Sequence, residues 1–305
     1  MVDATLQMVK NISDNDLLEM KEMDERLSIT MNFYCIMGTA AYFEKPEMFP
    51  FVATRTVQLT MEYGLCKHSI SGFVQFAAML CSNKEEKKGI ESASQIGRAA
   101  MSCSKKRYNT PDQLPFLYLV YYSFIAHYTE PLQMCADMLW QGFNAGMSLG
   151  ESGIAFFNSS LHVRTALIAG ERLPTLLEKV DYYLKLTNIY QNEITKAFLT
   201  INLETISILI DGGATSSAQP SNDIPSTEST NASILEALYS QHAIQAYWKG
   251  HSERCQYNIR KFLLHVTSDT CRLQFITFIH GLNLSQLLKD NSGRHTRSIS
   301  KKKLS

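Results

Sequence analysis

Residues 49–80 read FPFVATRTVQLTMEYGLCKHSISGFVQFAAML and carry the pattern of two amphipathic helices joined by a short turn. Their apolar positions recur every three or four residues, the spacing that places side chains on one face of a helix. These positions are Val52, Thr56, Leu59 and Tyr63 in the first helix and Phe73, Phe76, Ala77 and Leu80 in the second. Gly64 follows the first helix, and glycine commonly ends helices. The stretch therefore predicts a helical hairpin, with helices over 51–63 and 70–81.

The rest of the chain repeats this hairpin with variation. The segments SGFVQFAAML at 71–80 and SGIAFFNSSL at 152–161 share Ser, Gly, Phe and Leu at the same offsets. Each segment follows a helix that ends in glycine, at Gly64 and at Gly150. We place Gly72 at a tight contact between helices. Because no segment alternates like a strand, the predicted fold is all-α: a right-handed, TPR-like helical-repeat solenoid of antiparallel helix pairs.

Roughly eleven to thirteen helices fit this pattern along the chain. After the first hairpin we predict helices at 90–105, 132–147, 152–169, 174–190, 193–210 and 232–249. In the helix at 193–210, the positions in helical register are Ile194, Phe198, Ile201, Thr205 and Ile208. We expect this face to be buried.

Capping signals and composition divide the chain into segments. Ser13 and Asp16 form a helix N-terminal cap, and the helix that they start is expected to run to about Phe43. The stretch GGATSSAQPSNDIPSTESTN is too poor in aliphatic residues to build a core. The predicted segments are a flexible N-terminus at 1–13, a helical-repeat domain at 14–211, a linker at 212–231, C-terminal helices at 232–289 that continue the solenoid, and a disordered basic tail at 290–305.

Composition limits the class of protein. The chain has 305 residues, of which 45% are hydrophobic and 19% charged, as expected of a globular protein. Lys and Arg number 29, equal to Asp and Glu, so the basic surface expected of a nucleic-acid-binding protein is missing. We find no secretory signal and no apolar run near the ~20 residues that span a bilayer. We therefore expect a cytoplasmic protein with no nucleic-acid partner and no membrane span.

The seven cysteines are expected to be free thiols. Their number is odd, they are widely spaced, and no C-x-x-C pair occurs. Such a pattern does not predict a disulfide framework. Most of these cysteines are better interpreted as small core residues.

No motif of catalysis or cofactor binding occurs in the sequence. It has no P-loop and none of the kinase motifs. The segment Gly150–Gly153 resembles a nucleophile elbow, but Ile154 stands where the motif requires glycine, so we interpret it as a hairpin turn. His251 and Cys255 are four residues apart, so on a helix they could form half of a metal site, but no second pair of ligands can be named. The set Cys66, His68 and Cys81 is a weaker candidate for metal binding. We therefore assign no catalytic residue, cofactor or metal, although this leaves open whether the chain is an enzyme.

An aromatic run precedes the middle of the chain and has two interpretations. Tyr118, Tyr121 and Tyr122 recur at helical spacing within it. In a solenoid these side chains could line a concave face that binds a partner. More often, such side chains form the central packing layer of the superhelix.

The hairpin also carries a resemblance to a known family. Its residues are Phe49-Pro50, then Thr56–Thr60, then Tyr63-Gly64, and finally Ser71-Gly72-Phe73. With further support at Gly142–Gly150, Gly153, Phe156-Phe157, Tyr182–Tyr190 and Ala243–Gly250, residues 15–289 resemble the tetratricopeptide-like helical region of multidomain signalling kinases of cyanobacteria and some algae. In that family the region links an AAA-type ATPase module to sensor and histidine-kinase modules.

The resemblance implies a scaffold role without an activity of its own. The sequence has no Walker A lysine, no phosphoacceptor histidine box and no sensor domain. The chain is thus expected to be a non-catalytic module for protein–protein interaction and signal transduction, with protein partners such as signalling kinase modules. Two alternatives stay open. The chain could be a fragment of a larger ATPase or histidine-kinase polypeptide, or a helical domain that binds a small molecule.

Overall fold

A computed structural model describes residues 1–82, 87–109, 111–211, 232–266 and 271–302. Over these residues the protein is all-α, as predicted, and the only β-type pairing described is an isolated bridge between Glu22 and Leu65. The helices are α1 (Val2–Val9), α2 (Asp14–Glu19), α3 (Glu25–Glu44), α4 (Phe49–Tyr63), α5 (Lys67–Ser82), α6 (Lys87–Cys103), α7 (Leu114–Phe124), α8 (Leu132–Leu149), α9 (Ser152–Ile168), α10 (Leu173–Tyr190), α11 (Glu193–Ile210), α12 (Ala232–Trp248), α13 (Ser252–His265) and α14 (Cys271–Lys302).

The hairpin at 49–80 forms α4 and α5, within three residues of the predicted bounds. Pro50 lies in the first turn of α4, where its missing N–H would have had no helical partner. Gly64 follows α4 with φ of +111°, a backbone conformation that side chains other than glycine rarely adopt. The sequence pattern therefore located the start of the turn, whereas α5 begins at Lys67, three residues before the predicted start.

The N-terminus differs from the flexible segment predicted for 1–13. Residues Val2–Val9 form α1, and both Val9 and Ile12 are buried. Gln58 of α4 donates a hydrogen bond from Nε2 to Thr5 Oγ1 at 2.8 Å. The prediction was wrong because the capping signal at Ser13 marks the start of a second helix and says nothing about a helix before it.

The helix predicted from Ser13 to Phe43 is divided into α2 and α3. The cap at Ser13 is confirmed, because the Asp16 carboxylate accepts from Ser13 N at 2.8 Å and Ser13 Oγ accepts from Asp16 N at 3.3 Å. A distant residue ends α2: Nη1 of Arg107 donates to the carbonyl oxygens of Leu17, Leu18 and Met20 at 3.0, 3.1 and 2.7 Å. Arg107 lies in a π-helical turn at Ser104–Tyr108, far from α2 in the sequence. The start of α3 has a local signal that the sequence analysis passed over, because Asp24 Oδ1 caps the helix by accepting from Arg26 N at 2.9 Å.

The chain forms two compact units, Met1–His162 and Val163–Ser305. The sequence placed its main break at 212–231 instead, and that linker lies outside the described residues. Inside the second unit, α11 and α12 on either side of it are joined by buried hydrogen bonds. Gln241 donates to Asn202 Oδ1 and Gln245 donates to Thr205 Oγ1, both at 2.9 Å. The two helices therefore belong to one unit despite the sequence between them.

The buried face of α11 is more polar than the sequence predicted. The predicted helix bounds, 193–210, agree with the structure, but Ile194 is exposed. The buried residues of α11 are Thr195, Leu199, Asn202, Thr205 and Ile206. Of the expected face only Thr205 is among them. The hydrogen bonds from α12 explain the difference, because they compensate for the burial of Asn202 and Thr205.

At the end of the chain, the last helix extends into the segment that the sequence predicts as a basic tail. The sequence predicts a disordered tail from Asp290, whereas α14 continues to Lys302 and residues 303–305 lie outside the described part. Adding a residue to an existing helix fixes one residue for one hydrogen bond, which is far less costly than starting a helix. A polar segment can therefore extend a helix that apolar residues begin.

Candidate functional site

The hairpin residues that carry the family resemblance lie mainly at packing contacts between helices. Ser71 and Phe73 are buried in α5, and Phe49 packs its ring edge-on against Tyr42 at 5.5 Å between centroids. A Cβ atom on Gly72 would overlap the side chain of Thr56 in α4, with Thr56 Cβ at 3.0 Å. Gly72 thus lies at a tight contact between helices, as the sequence suggested. Tyr63 is 38% exposed at the end of α4.

Gly64 connects the hairpin to the N-terminal helices. Leu65 N donates to Lys21 O, and Met23 N donates to Leu65 O, both at 2.9 Å. A Cβ atom on Gly64 would lie 2.6 Å from the carbonyl oxygen of Lys21. Glycine is required here both by its positive φ and by this close approach.

The second copy of the repeat has different surroundings from the first. Gly150 ends α8 in the left-handed conformation, with φ of +78°. Gly153, the counterpart of Gly72, has no atom within 4 Å of the position of a Cβ atom. The close approach of α8 and α9 occurs elsewhere, where a Cβ atom on Gly146 would lie 2.9 Å from Ala155 Cβ. The two segments thus share a glycine-ended hairpin but not the same contact.

Tyr118, Tyr121 and Tyr122 do not form an exposed partner-binding face. All three side chains are buried, and Tyr122 packs edge-on against both others, with centroids 5.6 and 5.0 Å apart. Burial raises the pKa of Tyr121 to about 12. Of the two interpretations, the packing layer agrees with the structure, because α7 has its aromatic residues inside the first unit.

The sequence pairs considered for metal binding remain isolated. His251 precedes α13 and is exposed, whereas Cys255 is fully buried. His68 Nδ1 lies 3.3 Å from Gln113 Nε2, and its backbone oxygen accepts from the Cys35 thiol at 3.1 Å. No group of three or more metal-ligating side chains occurs within the described ranges.

The best candidate for a binding surface is the outer face of α3, which the sequence analysis missed. Ile29, Phe33, Ile36 and Met37 are exposed by 56, 62, 59 and 50%, and Ala40 continues the row. We call these five residues the α3 stripe. Residues 29, 33, 36 and 40 follow the alternating four- and three-residue spacing of a seam between two helices.

The opposite face of α3 explains why this stripe is left uncovered. Met31 is buried there, and Cβ on Gly38 would overlap the side chain of Gln75 from α5. Gln75 Nε2 also donates to Cys35 O at 3.4 Å. The inner face thus fixes α3 against the α4–α5 hairpin, and the stripe lies on the far side of the helix. The sequence of α3 could have indicated this exposed face, because apolar residues occur on both faces of the helix.

The described residues define an all-helical protein whose candidate site is an uncovered apolar helix face. Among these residues, none of the helices is both long enough and apolar enough to cross a membrane. No protein-family model, curated protein or solved structure matches the chain.

Proposed function

We propose that this protein is a non-catalytic helical scaffold that binds an apolar helix of a partner protein through the α3 stripe. The observation that carries the proposal is the exposure of Ile29, Phe33 and Ile36 at helical-seam spacing. Soluble proteins seldom leave a contiguous apolar patch uncovered unless it contacts something else. A partner helix with its own apolar row would bury these side chains by helix-in-groove recognition.

The fold that we propose for this scaffold is a TPR-like helical-repeat solenoid. Helices mostly contact the next helix along the chain, as α3 with α4, α4 with α5, α7 with α8, α10 with α11, and α12 with α13. Nearest-neighbour packing of this kind is typical of helical repeats. The contacts of α2 with α6 and of α1 with α4 depart from it, so the N-terminal helices would act as a cap.

The kinship with the linker region of signalling kinases belongs to the same proposal. It rests on Phe49-Pro50, Tyr63-Gly64 and Ser71–Phe73, which serve turn geometry and helix packing. On this view the partner would be a module of a kinase assembly. The alternative that the chain is a fragment of a larger ATPase or histidine kinase is tested by reading the coding sequence on both sides for a P-loop and a histidine-kinase core. Absence of both would exclude the fragment.

The scaffold proposal is tested by capture with the full chain and two variants. Phe33→Asp with Ile36→Asp places charges in the α3 stripe without touching the buried face. Ile189→Asp is the matched control, since Ile189 is 72% exposed in α10. We expect wild type and control to retain the same proteins from a lysate of the source organism, and the double variant to lose them. Retention of an unchanged set by the double variant would overturn the proposal.

A photo-crosslinking amino acid in place of Phe33 adds a second measurement. We expect the crosslink to join this position to a helix of the captured protein. The same amino acid at position 189 provides the control. Equal crosslinking at both positions would mean that the capture is non-specific, and the stripe would lose its assigned role.

A further inference from the structure

Two buried arginines and one buried carboxylate lie inside the second unit. Arg164 of α9 is 5% exposed, Arg272 of α14 is 6% exposed, and Glu236 of α12 is 3% exposed. Arg272 Nη1 lies 3.4 Å from Glu236 Oε1. No ion pair of Arg164 is present among the described residues. Since guanidinium groups stay protonated in proteins, the three side chains carry a net charge of plus one.

The hydrogen-bond donors of the two arginines are also incompletely used. Arg164 Nε and Nη2 and Arg272 Nε are buried, and none of them has a hydrogen-bond partner in the described part of the chain. Buried donors nearly always have partners, and a buried charge without compensation is strongly unfavourable. Burial and the proximity of Arg164 lower the pKa of Arg272 to about 10, which leaves it charged at neutral pH.

The chemistry of these groups selects the kind of ligand. Guanidinium offers donors only, so the unused positions require acceptor atoms and repel cations. Water would accept hydrogen bonds but would leave the excess charge in place. An oxyanion meets both requirements, because its oxygens accept from the planar fork of an arginine and its charge opposes the excess. The small exposure of both arginines limits the ligand to a small ion.

We propose that the second unit binds a small oxyanion of the phosphate class between α9, α12 and α14, held by Arg164 and Arg272. Glu236 Oε1, 3.4 Å from Nη1 of Arg272, would help to orient that guanidinium. Thr165 Oγ1 lies 3.9 Å from Cys271 Sγ in a buried contact. These two residues are the sequence neighbours of Arg164 and Arg272, so α9 and α14 meet at this place. The anion would thus stabilise a site where these two helices already meet. This proposal is independent of the α3 stripe.

The test compares the thermal unfolding of the full chain in inorganic phosphate and in chloride at equal ionic strength. A ligand that binds only the folded state raises the melting temperature with concentration. We expect phosphate to raise the melting temperature of wild type above its value in chloride. Arg164→Met should abolish this difference, and it should fold well in chloride because it removes the uncompensated charge. Arg172→Met, an exposed arginine of the same unit, should keep the wild-type response.

Three further outcomes test the proposal. Glu236→Gln increases the excess positive charge, so it should make the melting temperature more dependent on phosphate. Asp269 lies outside the described residues, three positions before Arg272 in the sequence. If wild type does not respond to phosphate and Asp269→Asn does, the chain's own carboxylate occupies the site and the proposal is wrong. A phosphate response that survives Arg164→Met would also overturn it.

Discussion

Gly72 illustrates how a single missing side chain sets the distance between two helices. Its helix, α5, approaches α4 so closely that Thr56 occupies the space a Cβ atom would take. Gly153 has the same place in the sequence repeat but faces open space. The repeat therefore predicts the position of a glycine in a hairpin, while its role depends on which residue lies opposite.

We predict that Gly72→Ala lowers the free energy of unfolding by about 1–3 kcal/mol, the usual cost of overpacking. Gly153→Ala is the matched control in the same unit, and it should be neutral or stabilise the protein by roughly 0.5–1 kcal/mol because alanine favours the helix. Urea denaturation followed by circular dichroism measures both. Equal stability of the two variants would contradict the role assigned to Gly72.

His242 shows how burial alters a titrating side chain. Desolvation, with a smaller contribution from the guanidinium charge of Arg254, holds the pKa of His242 below its usual value of 6.5. The unfolded chain takes up a proton near pH 6.5, whereas the folded protein takes it up only at lower pH. The unfolded state therefore binds more protons in that interval, and the stability that neutral His242 contributes is lost as pH falls below about 6.5.

We predict that His242→Gln weakens this dependence of stability on pH. The measurement is the free energy of unfolding at several pH values between 7 and 5 for wild type and variant. His251→Gln, an exposed histidine of the same unit, serves as the control and should follow the wild-type curve. If His242→Gln also follows that curve, the burial of His242 has no effect on the acid stability.

At the scale of elements, helix α11 shows the limit of apolar periodicity. Its bounds follow from spacing, yet its buried face contains Asn202 and Thr205. Their partners, Gln241 and Gln245, lie 39 and 40 positions away in the sequence on α12. Two such pairs, one turn apart on each helix, fix the register of α11 against α12. A pattern that scores polar residues as outward-facing misses this contact.

We predict that Gln241→Leu costs about 1–3 kcal/mol of stability, because it leaves the buried Oδ1 of Asn202 without its donor. Adding Asn202→Leu should recover part of the loss, with a coupling energy of about 0.5–3 kcal/mol between the two sites. Asn188→Leu on the exposed side of α10 is the control and should change stability little. Additive losses in the double variant would show that the hydrogen bond is not formed.

Across the whole molecule, the cysteines report on the integrity of the fold. None of the seven forms a disulfide bond in the described part of the chain, and all except the half-buried Cys35 are buried. Burial raises the pKa of Cys35 to about 12, and the pKa values of Cys103 and Cys255 to about 11. Because the thiolate is the reactive form, both burial and these pKa values oppose labelling in the folded protein.

We predict that a thiol reagent at pH 8 labels the native protein slowly and labels all seven cysteines in denaturant. The time course of labelling, measured by mass spectrometry of the intact chain, checks this. The variants Gly72→Ala and Gly153→Ala provide a comparison, since only the first should speed labelling of the first unit. Rapid labelling of most cysteines in the native wild type would contradict the described burial.

The sequence by itself determined the helical class, most helix bounds and the glycine-ended hairpin at 49–80. These depend on interactions within about four residues, which spacing and capping residues reveal. Only the tertiary structure decided the burial of Tyr118 and of α1, the contact of Arg107 with the end of α2, and the exposure of the α3 stripe. It alone brought Arg164, Glu236 and Arg272 together, from three helices far apart in sequence. Such contacts depend on which faces of distant helices meet. The fold selects the arrangement that leaves the fewest buried groups without compensation over the whole chain, and a local sequence pattern does not contain this information.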